Sequence, residues 1–283
     1  MTIPQRRVIA FAGAQLVIEF SGAQAAAVVD FLFRAVPATD PGSLPALHTT
    51  YRLHSSDVPA GLVLQRDELL LYEGSSAAAC AEVLVGDVCH QLAHDSSGGL
   101  VFHAAAAAWR GQGLLLPGTI GAGKTTLAAW LATQGFDYLT DELVWVPQDS
   151  VLLHAFTRPL NIKLTARSLW KEQLAGAAAQ VWSSPQGDLV EPVLFNPANA
   201  VSTPAIRLII FPRYVPDMNF ALSLLPPAQA GLKLMECLVN ARNLAGYGPG
   251  APRRAPAYTL SYASFDQLGK RVQALFDNGF QSR

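Results

Sequence analysis

The sequence predicts an α/β protein, a mixed sheet with packed helices preceded by a small α+β domain. Three observations carry that expectation. A glycine-rich segment at 118–125 lies between a short apolar run and a helix-patterned stretch, in the order strand, loop, helix. Two further short apolar runs follow, bracketing Asp141. Upstream, Ser96, Ser97, Gly98 and Gly99 break the chain where its character changes. The expected domains are residues 1–97 and 98–283.

Composition bounds the class. Of 283 residues, 51% are hydrophobic and 14% charged, against about 25% charged in typical soluble proteins. Lys and Arg number 20 and Asp and Glu 21, for a net charge of −1. No broad basic face is therefore expected, which argues against nucleic acid as partner. The apolar content excludes bulk disorder. A membrane helix is not expected, because no run reaches the roughly 18 uninterrupted apolar residues it needs. Asp30 and Arg34 break the segment after Gly22, and His103 lies in the run ending at Trp109. Gln15 and Glu19 interrupt the N-terminal apolar run, so 14–20 reads as a strand rather than a signal segment. Cys80, Cys89 and Cys237 have no metal-ligand spacing and read as buried thiols in a reducing cytoplasm.

The elements follow in order. A strand is expected over 8–20 and a helix over 23–35, with Ala27, Phe31 and Leu32 sharing a face. Pro37, Pro41, Gly42 and Pro45 make the next segment a loop. Residues 61–73 read as a hairpin turning near Arg66 and Asp67. Ser75 and Ser76 offer a cap for a helix reaching His94, where Cys80, Leu84, Val88 and Leu92 recur at four-residue spacing. Past the break, 100–103 and 114–116 are strands around Arg110, Gly111, Gln112 and Gly113. A helix over 124–134 stops at Gly135, and strands follow at 138–140 and 143–146. Beyond Pro159, 207–212 reads as a buried strand, and 228–243 and 264–277 as helices.

Gly118, Thr119, Ile120, Gly121, Ala122, Gly123, Lys124 and Thr125 fit G-x-x-x-x-G-K-[ST] at every fixed position. A chance match at this composition is on the order of a few in a thousand. The glycines let the backbone curl, so that N–H groups from Gly118 through Thr126 point at phosphate oxygens. The following helix adds its partial positive N-terminus there. Lys124 is placed to reach the β- and γ-phosphates, and the Thr125 hydroxyl to ligate Mg²⁺. ATP and Mg²⁺ are the expected cofactors.

Asp141 lies 17 residues beyond Lys124, with Glu142 next to it, directly after the strand into which the loop helix leads. The helix has returned the chain to the sheet, so the acidic pair should emerge beside the phosphates. Motor, ABC-type and RecA-type ATPases place their metal-binding acid farther along, and no L-S-G-G-Q occurs here. Acids this close behind the loop suit a compact phosphotransferase. One carboxylate can accept the proton of an acceptor hydroxyl while the other helps hold Mg²⁺. The alternative is that Asp141 caps a turn and Glu142 is solvated.

The block Phe102, His103, Ala104, Ala105, then Leu116, Pro117, Gly118, then Gly123 to Leu127, then Gly135 to Glu142 resembles the catalytic domain of HPr kinase/phosphorylase. It is similar in particular to the bacterial HPr-kinase-related proteins of peptide-modification gene clusters. The resemblance implies a P-loop kinase domain of the HPr kinase and PEP carboxykinase-like type, and it covers about residues 100–146. It places His103 on the family's histidine near the phosphoacceptor, and Asp141 on the aspartate that deprotonates a serine hydroxyl. Glu142 falls on the second aspartate, beside metal and nucleotide. The family tends to form oligomers. Two departures stand out: the second acid is Glu, and the E-[IV]-R-G-[LM]-G and V-R-P-G-R segments of HPr kinase are absent. Phosphorylation of HPr itself is therefore not expected, and the acceptor is something else.

Arg158 and Lys163 follow the acidic pair in a lysine-poor chain and are expected to stabilise transferring phosphoryl charge, with a solvated face as the alternative. Arg207, Arg213, Asn240, Arg242 and Asn243 are weaker candidates for lining an acceptor groove. Trp109, Trp145, Trp170 and Trp182 read as core or interface aromatics. The leading function is an ATP- and Mg²⁺-dependent kinase for a serine or threonine hydroxyl on a peptide or small protein. Two alternatives are a kinase for a sugar or other metabolite, and a nucleotide-dependent protein that binds a peptide without modifying it. A PEP carboxykinase role ranks low, because that family's metal ligands and substrate arginines have no counterparts here.

Overall fold

Short alternating strands joined by tight turns open the chain. The computed structural model describes residues 4–37, 39, 49–57, 60–243 and 255–277, and Pro41, Gly42 and Pro45 of the expected loop lie outside them. The described residues form a mixed α/β protein with several sheets. No helix among them is long and apolar enough to cross a membrane. The chain divides into two units, Met1–Gly98 with Thr157–Leu194, and Gly99–Phe156 with Phe195–Arg283.

The first unit begins with β1 (Gln5–Phe11) and β2 (Ala14–Ser21), where sequence alone suggests one strand. Ala12 and Gly13 take φ of 52° and 77°, the double positive φ that closes a two-residue hairpin. Helix α1 (Ala23–Phe33) buries Ala25, Val28, Val29, Phe31, Leu32 and Phe33, while Ala27 is exposed. Strands β3 (Thr49–Asp57), β4 (Ala60–Arg66) and β5 (Leu69–Gly74) complete a five-stranded sheet in sequence order. Helix α2 (Ala77–Asp95) starts where the Ser76 hydroxyl accepts the Ala79 N–H at 3.2 Å. Cys80, Leu84, Val88 and Leu92 are its buried stripe.

The second unit starts with β6 (Gly99–Trp109) and β7 (Gln112–Pro117), which pair antiparallel through a turn at Arg110 and Gly111. Residues 104–108 of β6 are all alanine and all buried. Covered on both faces, a central strand reads as one apolar run rather than an alternating one. Helix α3 (Lys124–Thr133) ends before Gly135, whose φ of 87° reverses the chain. Strands β8 (Asp137–Thr140) and β9 (Leu143–Pro147) both pair antiparallel with β6, one after the other along the same edge, and β10 (His154–Ala155) pairs with β9.

The chain then returns to the first unit. Strands β11 (Leu160–Lys163), β12 (Val181–Ser183) and β13 (Gly187–Val190), with the short helix α4 (Lys171–Leu174), make a sheet ordered β11-β13-β12. Four contacts tie this segment in. Trp182 stacks on Phe31 at 4.4 Å and 5°, Arg34 pairs with Glu191 at 2.7 Å, and Glu82 accepts from Asn161 and Ser184. By their contacts, each unit is built from two separate stretches of chain.

The second unit is completed by β14 (Ala205–Tyr214), β15 (Ala221–Leu224), α5 (Pro227–Glu236), β16 (Ala257–Tyr262) and α6 (Arg271–Asp277). Its eight-stranded sheet runs β10-β9-β6-β7-β14-β16-β15, with β8 also against β6. The helix expected over 228–243 stops at Glu236, because residues 237–240 turn to pair with β6. His103 N–H donates to the Cys237 carbonyl at 2.8 Å, and Val239 N–H to Val101 at 2.9 Å. The buried Asn240 amide completes the seam, accepting from Val101 N–H and donating to the Gly99 carbonyl, both at 3.0 Å. Asn240 is thus a structural clamp. The helix expected over 264–277 is a 3-10 turn at Phe265–Gln267 followed by α6, with Gly269 at φ 44° between them.

Candidate functional site

Strand β7 ends at Pro117, and the chain leaves the sheet as the glycine loop before entering α3. Thr119 to Ala122 form a turn closed by Ala122 N–H to Thr119 O at 3.2 Å. Gly121 holds the third position at φ 86°, which that turn type reserves for glycine. Ile120 at the tip is 80% exposed. Gly123 precedes α3 at φ 92°, and a Cβ there would sit 3.2 Å from both Tyr214 Cβ and the Tyr262 hydroxyl. The buried Lys124 lies along the loop, its Nζ donating to the carbonyls of Gly118 at 2.7 Å and Thr119 at 3.1 Å. Thr125 and Thr126, in the first turn of α3, are half-buried.

Two strands away lies the acidic pair. Asp141 and Glu142 form the bend between β8 and β9, and the bend is held from several sides. Thr140 Oγ1 donates to the Phe156 carbonyl at 2.7 Å and accepts the Glu142 N–H at 3.2 Å. Ala104 N–H donates to the Glu142 carbonyl at 3.1 Å, and Ala104 is also the register partner of Pro117. The ladder from Glu142 through Ala104 to Pro117 therefore spans two strand spacings, about 10 Å. Asp141 is buried, and the buried Tyr138 hydroxyl donates to its Oδ1 at 3.0 Å. Glu142 is partly exposed, with Oε1 3.7 Å from His103 Nε2.

Side-chain amides secure the outer edge of β8. Asn199 accepts the Tyr138 N–H at 2.6 Å and donates to the Tyr138 carbonyl at 3.2 Å, while Asn196 donates to the Phe136 carbonyl at 3.0 Å. Cys237 adjoins the loop from another side. Burial pushes its thiol up from the ordinary range, opposed by the Lys124 charge and a Gly118 backbone hydrogen bond.

The second unit thus brings together His103, the glycine loop with Lys124, Thr125 and Thr126, and Asp141 with Glu142. Arg158 and Lys163 belong to the first unit. Arg158 is buried before β11, with Nη1 donating to the Pro159 carbonyl at 3.3 Å, and Lys163 is exposed at the end of β11. Sequence reasoning passed over Tyr138, Tyr214 and Tyr262. Tyr138 carried a signal, since it stands three residues before Asp141 at the end of the same short strand.

Among the described residues no cluster of three or more His, Cys, Asp or Glu is arranged to hold a metal ion. Thr125 and Glu142 offer one hydroxyl and one carboxylate. That set fits Mg²⁺, which takes one or two protein ligands and fills its shell with phosphate oxygens and water. Gly121 and Gly123 both hold positive φ, 86° and 92°, the backbone region from which neighbouring N–H groups can turn toward an anion.

No known protein family matches the chain, and no curated protein matches it. Among solved structures it is similar to the HPr(Ser) kinase/phosphatase from Coxiella burnetii, at 14% identity and a TM-score of 0.31, over 63% of this chain and 94% of that one.

Proposed function

We propose that the protein is an ATP- and Mg²⁺-dependent kinase that transfers the γ-phosphate to a serine or threonine hydroxyl of a peptide or small protein. One observation carries the reading: the glycine loop that follows β7 and the bend that holds the buried, hydrogen-bonded Asp141 flank the same strand, β6, on its two sides. The acceptor class follows the sequence resemblance described above.

In this reading the loop amides from Gly118 to Thr126 and the N-terminus of α3 hold the phosphates, and Lys124 supplies a fixed positive charge beside them. Thr125 and Glu142 are the residues that would hold Mg²⁺, which when bound neutralises charge on phosphate oxygens. Asp141 acts as general base. It takes the proton of the acceptor hydroxyl as that oxygen bonds to the γ-phosphorus and the bond to the bridging oxygen of ADP breaks. Tyr138 fixes one oxygen of that carboxylate and so sets its orientation. His103 stands beside the Glu142 carboxylate, its Nε2 3.7 Å from Oε1.

The test is Asp141→Asn in the full chain, with γ-labelled ATP and serine- or threonine-containing peptides from a cell extract, read by mass spectrometry. ATP affinity should hold within about threefold, while transfer falls about 10²- to 10⁴-fold, the range a general base supplies. Transfer at the native rate removes Asp141 from the role of base. ATP recovered intact by the native protein with every peptide removes the kinase.

A further inference from the structure

The glycine loop has two flanks, and only one carries the acids. Across β6 lie β8, β9 and the acidic bend; across β14 lies β16. Strands β14 and β16 run parallel to β7 and to each other, so all three end at the same edge of the sheet. Ligands of α/β sheets gather at that carboxyl edge. There β14 and β16 end in register on two tyrosines, Tyr214 opposite Tyr262.

We propose that the ring of Tyr214 is the stacking platform for the base of the bound nucleotide, which rests on the phosphate-binding reading of the loop given above. Tyr214 is tied to the loop, since its N–H donates to the Ala122 carbonyl at 3.2 Å. Its Cβ lies against the space beside Gly123. Yet it is 48% exposed, an aromatic ring half in water beside a phosphate cradle. The ring is backed by a rigid array. Tyr262, itself buried, meets Tyr214 edge to face at 5.9 Å and 68°, and so takes at most one of its faces. Behind them Phe265 stacks on Tyr262 at 6.1 Å and on Trp130 at 5.3 Å. A platform already ordered loses little conformational freedom on binding.

Direction along the loop selects the base rather than the acceptor as the occupant. A triphosphate whose γ end faces Asp141 must send its α-phosphate and nucleoside the opposite way, over β14 and β16. Every base has a π face, so stacking tolerates either purine.

Calorimetric titration of the full chain with ATP, GTP and inorganic tripolyphosphate, each with Mg²⁺, tests the proposal. The native protein should bind both nucleotides at least about tenfold more tightly than tripolyphosphate. Tyr214→Leu should lose about five- to hundredfold in ATP affinity, the range of one aromatic stack, and keep its tripolyphosphate affinity within about twofold. Tyr214→Phe should keep both. An unchanged ratio of ATP to tripolyphosphate affinity in Tyr214→Leu, or an equal loss of both, overturns the base platform alone. Native protein that binds neither overturns the phosphate-binding reading, and the platform with it.

Discussion

Replacing Gly123 by alanine probes how the loop is held. At φ 92° an L-residue is strained, and its Cβ would lie 3.2 Å from Tyr214 Cβ and 3.2 Å from the Tyr262 hydroxyl. The first cost is about 1–2 kcal/mol for a left-handed backbone. The second is overpacking, about 1–3 kcal/mol when neighbours cannot yield. Tyr262 is buried against Phe265 and has little room to move. Gly121 supplies the control: its φ is 86°, and an added Cβ there meets nothing within 4 Å. Gly121→Ala should therefore show the backbone cost alone. Gly123→Ala should be less stable than Gly121→Ala by at least about 1 kcal/mol, or about 2–4 °C in Tm. Its ATP affinity should fall at least about tenfold if about 1.4 kcal/mol of the distortion reaches the phosphate cradle. Scanning calorimetry and isothermal titration on the two variants read both numbers. Equal melting temperatures with native ATP affinity in Gly123→Ala would refute the claim that the tyrosines fix the loop.

Two further predictions concern buried polar groups. Tyr138→Phe deletes a charge-assisted hydrogen bond at 3.0 Å between buried partners, so unfolding free energy should fall by about 1.5–3 kcal/mol. Transfer should drop while ATP affinity holds, as urea titration and steady-state kinetics on that variant would show. Alkaline pH should destabilise the fold through Cys80, whose thiol burial pushes up from 9.0 to about 12. The unfolded chain loses that proton first, so the contribution is intact below pH 9 and declines by about 1.4 kcal/mol per unit between about pH 9 and 12. Urea unfolding at pH 8, 9 and 10 should show a shallower decline in Cys80→Ala than in the native protein; identical slopes would exclude this thiol.

Local chemistry made part of the molecule legible. The Ser76 cap, the Arg110–Gly111 and Asp67 turns and the Gly135 stop each depend on a few adjacent residues, and each falls where the pattern puts it. The strand, loop and helix around 118–125 are local in the same sense. What escaped was decided at long range. β10 has two residues and β12 three, too few for any periodicity, and they exist because a partner strand accepts them. Residues 237–240 carry a helical pattern but serve β6 instead, because the edge of residues 99–103 on that side is otherwise unpaired once β7 departs at Pro117. Tyr138 and Tyr262 stand in short apolar runs, where nothing in the sequence sets their hydroxyls apart. Tyr138 reaches Asp141 three residues on, while the pairing of β16 with β14 brings Tyr262 to Gly123.

The interleaving of the two units has a consequence for how the protein is made. A ribosome releases β7 and the glycine loop long before β14, the parallel neighbour that covers the open side of β7. Until residues 205–214 emerge, the nascent chain carries an uncapped apolar strand, Leu114, Leu115 and Leu116, which are all fully buried at the end. Trp182 must meanwhile find Phe31, some 150 residues earlier in synthesis. The first unit's last stretch, residues 157–194, is made only after residues 99–156 of the second. A gene cut between codons 97 and 98 would part Trp182 from Phe31 and Glu191 from Arg34.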